Sequence, residues 1–91
     1  MIIKKYLVIS GKVQGVGFRY WIQNMAINNN IVGCVQNKLS GDVEALIIGQ
    51  EKEVQKLITQ CKIGPSSATI QNIQINDYDQ DYPKESFNIL R

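Results

Sequence analysis

The chain has 91 residues, 44% of them hydrophobic, and its 10 basic and 8 acidic side chains leave a net charge of only +2. That is enough for one domain, and too balanced for binding nucleic acid or a membrane surface by bulk charge; no apolar run approaches the roughly 20 residues of a membrane span. There is no histidine, which excludes Ser-His-Asp and Cys-His nucleophiles, imidazole bases and histidine metal sites.

The pattern begins with β-branched and apolar residues over 2–10, which predict a strand. Gly11-Lys12-Val13-Gln14-Gly15-Val16-Gly17-Phe18-Arg19 follows. Phe18, Trp21, Ile22, Met25 and Ala26 then recur at helical spacing, predicting a helix over 18–29 that the asparagines at 28–30 terminate. Residues 31–38 and Val43 to Ile48 predict a hairpin about Ser40-Gly41, ended by Gly49. Val54, Leu57, Ile58 and Cys61 predict a second helix over about 51–62, stopped by Gly64-Pro65. Ala68 to Ile75 reads as a fourth strand whose alternation slips at Asn72. Asp77 to Lys84 reads as a polar surface loop, lacking the glycine and glutamate of a calcium loop. Phe87 and Ile89 mark a short fifth strand.

The order is βαββαβ with a C-terminal addition. It predicts a ferredoxin-like α+β sandwich over 1–91: an antiparallel sheet with two helices on one face and a short extra C-terminal strand. Cys34 and Cys61 form no C-x-x-C and are expected to be reduced core residues in a cytoplasmic protein. Met1-Ile2-Ile3-Lys4-Lys5 lacks the long apolar stretch of a signal peptide, which agrees with that location.

The glycine-rich run carries the chemistry. Glycines between a strand and a helix let the backbone turn tightly and bring several N–H groups together. The helix N-terminus adds partial positive charge there, and Arg19 offers a planar fork suited to phosphate. Taken singly, each feature has a plain structural alternative: a tight turn, a solvated arginine, a strand asparagine. Lys12 is either a solvated charge or an anion guide, and the sequence leaves open whether Gln14 and Gln36 brace the loop.

Ile9-x-Gly11-x-Val13-Gln14-Gly15-Val16-Gly17-Phe18-Arg19 resembles the first signature of the acylphosphatase family throughout. Gly33-Cys34-Val35-Gln36-Asn37, then Gly41-Asp42-Val43 and Gly49, resembles the second, departing at Cys34, where that family usually has an aromatic residue. The resemblance implies hydrolysis of the carboxyl–phosphate bond of an acyl phosphate, with no cofactor and no metal. It also implies that Gln14, Gly15, Val16, Gly17 and Phe18 bind the phosphate together with Arg19, while Asn37 orients the attacking water. A free-standing monomer acting on a small molecule is the expectation. The competing possibilities are a non-catalytic phosphate- or nucleic-acid-binding module of the same fold and a domain of a larger maturation protein. Nucleic-acid binding is disfavoured by the absence of an aromatic residue from Val43 to Ile48.

Overall fold

The computed structural model describes residues 1–82 and 85–90. Its elements run β1 (Ile2–Lys12), α1 (Phe18–Asn28), β2 (Val32–Asn37), β3 (Val43–Gln50), α2 (Glu51–Ile63), β4 (Thr69–Asp77) and β5 (Phe87–Ile89). One sheet holds all the strands in the order β4-β1-β3-β2-β5. β1 pairs antiparallel with β3 and β4, and β2 antiparallel with β3. The expected antiparallel sheet is thus found in four strands. The extra strand differs: β5 runs parallel to β2, with Gly33 opposite Phe87, so the sheet as a whole is mixed. The direction follows from topology. β4 ends at the opposite edge of the sheet, and the connection must cross to β2 before β5 can begin.

Alternation decides which face is covered. Leu7, Ile9, Val35, Val43, Ala45 and Ile47 point to one side and are buried with Phe18, Ile22 and Ala26 of α1 and Val54, Leu57, Ile58 and Cys61 of α2. Both helices therefore lie on that face, as the period of their apolar residues requires. Trp21 and Met25, on the same helical stripe, pack against this core half-buried. The slip in β4 is a bulge: Ser10 pairs with Asn72 and Gly11 with Ile70, leaving Gln71 as the extra residue. It returns Ile70 to the same apolar layer as Ile73. At Gly33 (φ 141°) a Cβ would stand 1.9 Å from the Leu46 carbonyl oxygen, so only glycine lets β2 approach β3 there.

The other face is not bare. Leu46 and Ile48 point to it and are nonetheless buried. The segment after β4 crosses this side: the Tyr78 N–H donates to the Lys4 carbonyl at 3.3 Å and the Lys4 ammonium to the Gln80 carbonyl at 2.8 Å. The Tyr82 hydroxyl lies 3.5 Å from the Gly33 carbonyl oxygen. The polar loop expected over Asp77 to Lys84 is in this part a strap across the sheet; residues 83–84 lie outside the described residues. Both cysteines are free, but only Cys61 is in the core; Cys34 is half-buried beneath the strap, beside the Tyr82 hydroxyl. Among the described residues no helix is long and apolar enough to cross a membrane.

Candidate active site

Topology brings the two signature segments to one end of the molecule. β1 and β2 both run antiparallel to β3, so they point the same way. α1 starts where β1 stops, and β2 stops at that same end. Asn37 sits opposite Val43, which is opposite Ile9; all three side chains point to the helix-covered face. Asn37 is thus the last residue of β2, on the face over which α1 packs, at the end where α1 begins.

Residues 13–17 form an irregular loop in which Gly15 (φ 74°) and Gly17 (φ 77°) take left-handed conformations. A side chain in these two places would strain the backbone by about 1–2 kcal/mol each. The helix that follows is left open. Gly17 at the N-cap makes no side-chain hydrogen bond, and no acidic residue stands in the first turn of α1, whereas α2 has Glu51 and Glu53 there. The first helical bond runs from the Trp21 N–H to the Gly17 carbonyl, at 3.0 Å. Among the described residues, no backbone N–H from Gly15 to Arg19 meets an acceptor. Arg19 is half-buried and has no ion-pair partner among the described residues. Unpaired donors, an open helix N-terminus and an uncompensated guanidinium make this end attractive to an anion.

Gln14 has a different part. Its Nε2 donates to the Lys38 carbonyl at 2.7 Å and to the Asp42 carbonyl at 2.8 Å. A primary amide has two N–H donors, and both are used here. The Gln14 side chain is therefore an anchor tying the loop to the β2–β3 turn, next to Asn37. The turn is closed by the Lys38 N–H on the Asp42 carbonyl at 2.8 Å. On the far face, Gln36 and Tyr6 both donate to the Glu44 carboxylate, and the Lys38 ammonium stands 4.0 Å from it. The hydrogen bond to Glu44, more than burial, pushes the Tyr6 hydroxyl up to about 12. Gln36 thus braces the strand behind Asn37.

Asn37 itself is half-buried, and its Oδ1 is buried with no hydrogen-bond donor among the described residues. Leaving such an acceptor unsatisfied costs about 1–3 kcal/mol. The spacing of the second signature marked Asn37, but only the fold reveals the empty acceptor. One site contact had no local sequence signal: the Ser67 hydroxyl, from the turn between α2 and β4, donates to the Val16 carbonyl at 2.8 Å. Among the described residues no group of three or more cysteine and acidic side chains converges as metal ligands would.

Known proteins share this architecture and these segments. The family profile described as Acylphosphatase matches residues 5–89. An acylphosphatase of Rhodopseudomonas palustris (strain BisB5) is 36% identical over 91 residues, spanning 94% of this chain and 92% of that protein. The crystal structure of acylphosphatase from Bacillus subtilis superposes over the whole of both chains with a TM-score of 0.92 and 30% identity. An acylphosphatase from Coxiella burnetii does so over 98% of this chain and 93% of its own, with a TM-score of 0.90 and 29% identity. Sequence and fold agree over nearly the full length of both partners, and the chain belongs to the acylphosphatase family, hydrolases that act on acyl phosphates.

Proposed function

We propose that this chain hydrolyses acyl phosphates without a metal, through a phosphate cradle at 14–19 and a water held by Asn37. The observation that carries this reading is the run of N–H groups from Gly15 to Arg19 that, among the described residues, have no acceptors, beside a guanidinium with no counterion among those residues. Gly15, Val16, Gly17 and Phe18 contribute backbone N–H groups to the phosphoryl oxygens, and Arg19 adds a charge-assisted fork. Gln14 enters the site through its backbone while its side chain holds the turn.

The substrate explains why so little machinery is needed. The leaving group is a carboxylate, already stable as an anion, so no general acid must protonate it. Phosphoryl transfer runs through a loose transition state with charge spread over the equatorial oxygens, and positioning with electrostatic stabilisation supplies the catalysis. The unpaired Oδ1 of Asn37 accepts a hydrogen bond from water and directs its lone pair at phosphorus. The new O–P bond forms, the P–O bond to the acyl group breaks, and the carboxylate departs with its electron pair. The proton of the water passes to the phosphate formed. The absence of histidine fits this scheme, because no step calls for an imidazole.

The same reading makes the chain one acylphosphatase-like domain over 1–91. It works as a cytoplasmic monomer on a small-molecule substrate and has no nucleic-acid partner. The free cysteines and near-balanced charge support that assignment.

Competition by inorganic phosphate separates the two roles. Arg19→Ala should abolish phosphate inhibition together with turnover. Arg19→Lys should be nearly as damaging, since a point charge does not replace the fork. Asn37→Ala should lower kcat by about 10²–10³ while phosphate still inhibits at wild-type concentrations. Phosphate inhibition preserved in both Arg19 variants would remove Arg19 from the cradle, and its loss in Asn37→Ala would make Asn37 a binding residue instead.

A further inference from the structure

The Ser67–Val16 hydrogen bond spans 51 positions in sequence and joins the second helix–strand turn to the tip of the glycine loop. An anion cradle needs its N–H groups turned in and its carbonyls turned out. In a trans peptide the carbonyl and the next N–H point in opposite directions, and every described peptide here is trans. A hydroxyl holding the Val16 oxygen on one side therefore holds the Gly17 N–H on the other. This peptide has particular need of such a hold. It leads into Gly17, at φ 77°, and glycine passes between positive and negative φ at no steric cost. No Cβ contact would resist the change, because nothing lies within 4 Å of where a Gly17 Cβ would be. Within the loop, the Gln14 amide fixes the entry and the first α1 bond fixes the exit. Between them Ser67 provides the side-chain bond to the tip.

We infer that Ser67 is a positioning residue, which locks the Val16–Gly17 peptide plane so that the Gly17 N–H is presented to the phosphoryl group. The inference rests on the 14–19 loop being the phosphate cradle. Ser67 touches no substrate in this account and acts only through the Val16 carbonyl. It is exposed, so its removal leaves the core intact and the variants fold. The bond competes with water, and the effect is correspondingly modest: about two- to tenfold, the worth of one net hydrogen bond.

The test compares Ser67→Ala and Ser67→Thr with wild type and Arg19→Ala, titrating inorganic phosphate and following the Gly17 amide by NMR. Ser67→Ala should weaken phosphate binding within that range and raise KM, and reduce the shift of the Gly17 amide on phosphate addition. Ser67→Thr, which retains the hydroxyl, should restore both. Wild-type phosphate affinity in Ser67→Ala overturns the inference, as does equal weakening in Ser67→Thr. If Arg19→Ala binds phosphate like wild type, the cradle reading itself has failed. If Arg19→Ala loses binding while Ser67→Ala keeps it, only the lock has failed.

Discussion

Asn37 is poorly placed for stability, and the function proposed above gives that placement a use. A strand asparagine on the buried face of a sheet, with its Oδ1 lacking any donor among the described residues, is a cost that the folded chain bears. The cost makes sense if the acceptor is kept for a water or a substrate. Asn37→Ala should accordingly leave the melting temperature unchanged or raise it slightly, while turnover falls. Calorimetry beside a rate measurement checks this; a variant that loses stability in step with its activity would make Asn37 an ordinary structural residue. Gln14 carries a complementary lesson. Its type and place in the signature were legible in the sequence, but its role was not. Only the fold shows its two donors committed to the Lys38 and Asp42 carbonyls. Ser67 was beyond sequence reasoning altogether, because its partner is 51 positions away.

At the scale of elements, β2 depends on close approach. Gly33 and Asn37 point to the same face of the strand, so the residue that lets β2 seat against β3 also fixes where Asn37 comes to rest. Gly33→Ala adds a Cβ 1.9 Å from the Leu46 carbonyl, at a φ of 141° that L side chains rarely adopt. Backbone strain and overpacking together should destabilise by about 3–5 kcal/mol. Urea denaturation measures it, and a loss below about 1 kcal/mol would mean that β2 shifts freely. The helices and central strands were legible because their apolar periods match their burial. The bulge in β4 was visible only as a slip at Asn72, since periodicity registers an extra residue without saying which strand carries it. The parallel direction of β5 was not legible. Three residues carry no orientation signal; the crossing of the strap determines it.

Across the whole molecule, the two signature segments meet at one end, while the groups with raised pKa values lie in the core and on the far face of the sheet. Burial pushes the Cys61 thiol up to about 12 from an ordinary 9.0. The Tyr6 hydroxyl rises to about 12 through its bond to Glu44, and the Tyr82 hydroxyl to about 12 through its bond to Cys34. Each of these groups holds its proton more tightly folded than unfolded. Their contribution is complete below the unfolded values and disappears as pH climbs through the folded ones. Stability should therefore fall from about pH 9 toward pH 12, first through Cys61 and then through the tyrosines. Urea midpoints across that window check it, and Cys61→Val should flatten the part that begins near pH 9. A midpoint independent of pH there would show that these groups ionise alike in both states. The fold class itself was legible in the order of elements. The second apolar layer under the strap was not, because Tyr78 to Tyr82 reads as polar and exposed until the strands are in place.

The central claim is that a loop, an arginine and an asparagine hydrolyse an acyl phosphate without a metal. It is tested most directly by following benzoyl phosphate hydrolysis in the ultraviolet, in chelator-treated buffer. Wild type should turn over benzoyl phosphate and leave a simple phosphomonoester intact, and Arg19→Ala and Asn37→Ala should each lose at least about a hundredfold in rate. Folded wild type that is inactive until a metal is restored, or either variant with wild-type turnover, would contradict the account.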